Sequence, residues 1–158
     1  MRLKGITGQG IQRVARTIKA QGEGLTMFDL DTFAQAYVEA MLWSSSTMED
    51  DAEMFGEEFA ENLDDLVGFI DMSPEAVAQV KEDCDQFQEE NAELLDQVSE
   101  EFGVGDDQHG HDFWLTRAGH GAGFWDRGYG DLGERLSDAA RKFGHIDPYI
   151  GDDKKVYF

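Results

Sequence analysis

Two groups of residues in this 158-residue chain have the types and spacing to do chemistry. The first is anionic. Residues 74–102 carry Glu75, Glu82, Asp83, Asp85, Glu89, Glu90, Glu93, Asp96, Glu100 and Glu101, and Asp50, Asp51, Glu57 and Glu58 precede them. On one continuous helix rising 1.5 Å per residue, the first set places a carboxylate every ~4 Å, against ~3.4 Å per phosphate along a DNA strand. Such a row can stand where a DNA-binding protein expects phosphates, drawing its basic partner in by steering and counterion release. The plainer use of an acidic helix face is solubility.

The second group is His109, His111, His120 and Asp126, with Asp106, Asp107 and Asp112 nearby. Imidazole and carboxylate suit zinc or iron, and His109 and His111 on a strand would share a side. The set has no H-x-x-x-H pair and the only cysteine, Cys84, is remote, so the same histidines also read as structural or exposed. Trp114, Phe124 and Trp125 with Arg117, His120, Asp126 and Arg127 can line a small-ligand pocket for acid–base work. The simpler assignment makes those aromatics the core of a sheet. No other motif carries a reaction. Ser44, Ser45 and Ser46 sit in no nucleophile elbow. Gly5 to Gly10 lacks the lysine of a phosphate loop, and the acids at 49–53 lack the glycine of an EF-hand.

Charge is distributed in blocks. The net formal charge is −21, where solubility asks for roughly −2 to −8. Residues 1–22 hold five bases and no acid; residues 23–108 hold 26 acids and one base, Lys81; residues 109–158 are nearly balanced. The middle block excludes binding nucleic acid through a basic face and favours a basic partner protein. The basic arm 1–22 suits contact with nucleic acid or a membrane surface, or a clamp onto the chain's own acids. Hydrophobic content of 41% is a globular value. No signal-like or membrane-spanning run is present, and a lone cysteine suits a reducing compartment, so a cytoplasmic location is expected.

The elements that must position these groups follow from periodicity. Ile11, Val14, Ala15 and Ile18 mark a helical face. Phe33, Ala34, Tyr37, Val38, Met41 and Leu42 mark a helix over 31–43, capped by Asp29 or Asp31. Phe55, Phe59, Leu63, Leu66 and Ile70 suggest a third helix. Ser73-Pro74-Glu75 opens a helix running to Phe102, with Val77, Val80, Cys84, Phe87, Asn91, Leu94 and Val98 as its stripe. That stripe packs on the domain's own core or forms a homodimer seam. Asp112–Arg117 and Gly123–Asp126 read as strands of a hairpin, Leu132–Phe143 as a short helix, and the end of the chain as a hairpin turning at Gly151–Lys154. The expected fold is one α+β domain, residues 1–158: a basic arm, an acidic helical part with one long helix over 74–102, then an aromatic, glycine-rich part over 109–158 with a small antiparallel sheet and one short helix.

Tyr37–Ser45 and above all His111-Asp-Phe-Trp-Leu-Thr-Arg-Ala-Gly-His-Gly-Ala-Gly-Phe-Trp-Asp-Arg-Gly128 resemble an uncharacterised family of small acidic proteins encoded by bacteriophages and plasmids. The similarity continues through Gly130–Leu136 and Tyr149–Asp153. What the resemblance implies is a mobile genetic element in a bacterial cell; it brings no catalytic residues with it. Together with the charge, it leads to an expectation of an acidic DNA mimic without a cofactor. Such a protein would inhibit or modulate a host DNA-binding protein of the restriction, CRISPR or topoisomerase kind. Two other expectations stand beside it: a small metal- or ligand-dependent enzyme centred on residues 109–127, and a nucleic-acid accessory or adaptor using residues 1–22.

Overall fold

The computed structural model describes residues 25–119 and 121–158. The helix expected around Ile11–Ile18, the basic arm and His120 lie outside the described residues. Helix α1, Thr32–Ser44, is the one expected over 31–43. Asp31 caps it by accepting the Ala34 N–H at 2.8 Å, and Phe33, Ala34, Tyr37, Val38 and Met41 are buried along its inner face. A short helix α2 spans Asp51–Met54. Helices α3, Pro74–Glu90, α4, Ala92–Phe102, α5, Asp106–Ala118, and α6, Asp131–Arg141, follow. A two-stranded antiparallel hairpin, β1 Tyr149–Ile150 and β2 Val156–Tyr157, closes the chain around the expected Gly151–Lys154 turn.

Helix α5 is the centre. Residues 112–117 are all buried, with α1 packed along one side, in the most extensive helix contact of the described residues, and α6 on another. Gly110 makes the α1 contact close: a Cβ there would lie 1.9 Å from the Phe33 carbonyl oxygen. Gly123 does the same for the chain that follows, where a Cβ would lie 2.1 Å from Thr116 Oγ1. The aromatic core runs across these contacts, with Phe87 of α3 stacked on Phe113 of α5 at 4.1 Å and Phe33 and Tyr37 of α1 against Phe113.

A buried ion pair is set into that core. Arg117 Nη1 donates to Asp83 Oδ2 of α3 at 2.5 Å and to Tyr37 Oη of α1 at 3.1 Å. Its Nε donates to the Gly144 carbonyl at 2.8 Å and its Nη2 to the Phe143 carbonyl at 2.9 Å. The guanidinium also lies against the Phe113 and Phe143 rings. Burial raises the Tyr37 hydroxyl well above its ordinary range, although Arg117 opposes the shift.

Four expectations are corrected. The fold is mostly helical, not α+β with a sheet: the only strands among the described residues are β1 and β2, each of two residues. Asp112–Arg117 lies within α5 and Phe124–Asp126 is a single 3₁₀ turn, so the aromatic hairpin does not exist. α5 is buried on several sides, so apolar residues run around it without the one-sided period of a surface helix. The 74–102 helix is two helices. Asn91 leaves helical geometry at φ −119°, and its side chain and backbone N–H both donate to the Phe87 carbonyl. The third helix over 55–70 is absent. Its place is taken by α2 and the 3₁₀ turns Leu63–Asp65 and Phe69–Asp71, leaving Phe59 76% and Ile70 85% exposed.

Aspartates explain that last break. Asp51 accepts the Met48 N–H at 2.7 Å, Asp65 the Asn62 N–H at 3.1 Å and Asp71 the Gly68 N–H at 2.8 Å, each three residues back. A short carboxylate that ties down backbone this way stabilises isolated turns in competition with a continuing helix.

Removing either partner of the buried pair strands a charge. Arg117→Leu is expected to cost about 3–5 kcal/mol in urea unfolding, and Arg117→Leu with Asp83→Leu to cost less than the sum of the single changes. Gly110→Ala should cost at least about 1–3 kcal/mol, because backbone cannot give way as a side-chain end can; thermal melting reads it.

Candidate functional site

The carboxylates divide by side-chain length. Among the described residues every ion pair uses an aspartate: Asp83–Arg117, Asp85–Lys81, Asp112–Arg127, Asp131–Arg135 and Asp138–Arg141, and Asp147 is hydrogen-bonded to the His145 ring. Every glutamate among them is exposed, and none is in an ion pair. The exposed carboxylates are fourteen glutamates and fourteen aspartates among the described residues, and the buried ones are all aspartates.

Of the expected partner-binding residues, Glu75, Glu82, Glu89, Glu90, Glu93, Asp96, Glu100, Asp50, Glu57 and Glu58 are exposed. Asp83 and Asp51 are buried, the first holding Arg117 and the second the Met48 N–H, so neither is presented to a partner. Asp85 is half-buried and engaged by Lys81 at 2.8 Å.

The exposed set on α3 and α4 is ordered. Glu75, Gln79, Glu82, Gln86, Glu89, Glu93, Asp96 and Glu100 recur at intervals of 4, 3, 4, 3, 4, 3 and 4, and all are exposed. Val77, Val80, Cys84, Phe87, Asn91, Leu95 and Val98 form the buried row. That row packs into the chain's own core, with Leu95 in the place expected of Leu94, which is only partly buried. The two rows stay in phase across the break at Asn91. Eight exposed carboxylates from Glu75 to Glu101 correspond to one per ~5 Å at helical rise, sparser than the ~3.4 Å spacing of phosphates.

The histidines do not converge. Two residues apart on a helix, His109 and His111 point to different sides. His109 is fully buried, its Nε2 2.8 Å from Ser99 Oγ of α4, with Phe124 beside it. His111 faces α1, its ring edge-on to Trp43 at 5.7 Å, and its Nε2 is buried without a hydrogen-bond partner among the described residues. Asp126 is exposed in the 3₁₀ turn. Among the described residues, no three His, Cys, Asp or Glu side chains are gathered as a metal requires. The aromatic pocket is not assembled either, because Trp114 and Phe124 are buried in the core whereas Trp125 is 48% exposed. Trp114 Nε1 instead donates to Ser44 Oγ at 2.8 Å.

Asp112 is the third buried acid among the described residues. Arg127 donates to its Oδ1 through Nη2 at 2.8 Å and Nε at 3.0 Å, as does Gln108 at 2.9 Å, fixing the loop after α5 to the helix. Burial raises its carboxyl even so, while the Arg127 hydrogen bonds and charge pull the other way.

Sequence reasoning missed Glu39 and Trp43, which α1 sets beside Asp107, Gln108 and His111 around a cleft of about 270 Å³. Their i, i+4 spacing was the available signal. Among the described residues no helix is long and apolar enough to cross a membrane. Comparison of the chain with protein-family models, with curated proteins and with solved structures finds no match.

Burial lowers the affinity of His109 and His111 for a proton, against the nearby carboxylates that raise it. The unfolded chain takes up these protons near pH 6.5, the folded chain only below that. Stability from this source is thus present above about pH 6.5 and lost as pH falls through the lowered folded values. The difference in unfolding free energy between the native chain and His109→Gln should shrink over that window, as urea titrations at stepped pH will read.

Proposed function

We propose that this protein binds a basic DNA-binding protein by presenting carboxylates in place of phosphates, and so inhibits or modulates it. The observation that carries this reading is the continuous exposed row from Glu75 to Glu100, made of acids and two amides with no base on it. Its plainer use is solubility, yet the charge far exceeds what solubility requires. The row is also rigidly held, because the residues behind it are buried, and pre-organised charge loses less entropy on binding. The bacterial setting, with a restriction, CRISPR or topoisomerase component as target, rests on the likeness of residues 111–128 to phage and plasmid proteins.

The test is quantitative. A DNA-binding protein retained from bacterial lysate at low salt should be displaced by duplex DNA, and its affinity should fall steeply from about 50 to about 200 mM salt. The variant E82Q/E89Q/E93Q/D96N/E100Q should keep its fold, all five sites being exposed, and bind at least about tenfold more weakly. An affinity flat in salt, or undiminished in that variant, overturns the proposal.

A further inference from the structure

The cleft between α1 and α5 is built from opposed walls. Glu39 and Trp43 stand on α1, Asp107 and His111 on α5, and Ala36 and Ala40 between them keep it open. Where Gly110 meets Phe33 the two helices are in backbone contact; around the cleft the small alanines leave a hollow of about 270 Å³. That lies just under the ~300 Å³ at which drug-sized ligand pockets begin, so it suits a side-chain-sized group rather than a large cofactor.

Its chemistry is one-signed. Among the described residues, Glu39 and Asp107 are exposed carboxylates in no ion pair, and no basic residue lines the cleft. Gln108 has spent its amide N–H on Asp112. Trp43 is 46% exposed and adds an aromatic surface. The His111 ring completes the lining, its Nε2 buried without a hydrogen-bond partner among the described residues. Carboxylates and an indole lining one hollow are the groups that recognise an organic cation, through charge-assisted hydrogen bonds and cation–π contact.

From this geometry we propose that the Glu39–Trp43–Asp107–His111 cleft binds a guanidinium or alkylammonium group. The inference does not depend on the phosphate-mimic reading, since the cleft lies on α1 and α5 and the exposed row on α3 and α4. The cation comes either as a small free molecule or as an arginine or lysine side chain of a protein.

Nuclear magnetic resonance of the full chain tests it, following the Trp43 indole and His111 ring signals during titration with n-butylguanidinium and, as neutral isostere, n-butylurea. The cation should give saturable shifts at both residues and the urea none. E39Q/D107N should abolish saturation with the remaining spectrum unchanged, and Trp43→Leu should weaken binding about threefold. A third titration with a short peptide bearing one arginine separates the sources. Tighter binding of the peptide assigns a partner's side chain and tighter binding of the free cation assigns a small molecule; both sustain the cleft's role. Absence of saturable shifts, equal response to the urea, or unchanged binding by E39Q/D107N overturns it.

Discussion

The Arg117–Asp83 pair is the constraint on which the arrangement of this molecule depends. Taking a guanidinium and a carboxylate out of water costs several kcal/mol per ion, and that cost is offset only when nearly every polar atom is matched. Here the Arg117 guanidinium reaches Asp83 on α3, Tyr37 on α1 and the carbonyls of Phe143 and Gly144 after α6. One side chain of the central helix therefore fixes three other segments. The pair also joins the acidic part of the chain to its aromatic part: Asp83 belongs to the block of 26 acids, Arg117 to the near-neutral block. An alternative packing of α3 on α5 would leave a buried charge alone, so the pair specifies the register of the core as well as closing it.

Asp83 is the extreme case of a wider division of labour. Aspartate has one methylene fewer than glutamate, so its carboxylate reaches backbone N–H groups of its own turn. Asp31, Asp51, Asp65 and Asp71 all do so. The Asn62 and Glu61 N–H groups hold the Asp65 carboxyl below the usual carboxylate range even at an exposed site. Glutamates, longer and better suited to helices, carry the free charge outward. The described glutamates thus all face solvent, whereas the aspartates serve both uses, some tying down the chain and fourteen of them exposed.

That division marks where the sequence was legible. The apolar spacing of Phe33 to Leu42, the Ser73-Pro74 start and the glycines near 103 and 144 mark helix bounds that lie where the pattern puts them, although the 74–102 span is broken at Asn91. The block at 109–126 is different. α5 buries His109, Asp112, Thr116 and Arg117 beside Phe113, Trp114 and Leu115, so polar and apolar residues alternate without the period of a surface helix. Its glycine, Gly110, serves close packing, not a turn. The same burial separated the histidines, because on a helix two-residue spacing diverges where on a strand it converges. At 48–71 the apolar spacing was helical, but four-residue turns tied by aspartates won locally. Neither outcome is visible until tertiary partners are known. The cleft walls come from residues nearly seventy positions apart, and no local pattern joins them.

The exposed row on α3 and α4 is the consequence that links the fold to the proposed function. A break such as the one at Asn91 normally costs a helix its register. Here Asn91 donates twice to the Phe87 carbonyl, and its own carbonyl accepts the Leu95 N–H, so the next helix restarts on the same phase. The buried row then continues through Leu95 and Val98, and the acids stay aligned on the far side. Mutual repulsion along such a row favours splaying and fraying; packing of Val80, Phe87 and Val98 into the core opposes it. Because the repulsion is long-ranged and screened while the packing is neither, the row is most strained at low salt. There a basic partner would relieve the most repulsion, and the same electrostatics that destabilise the free protein would favour its complex.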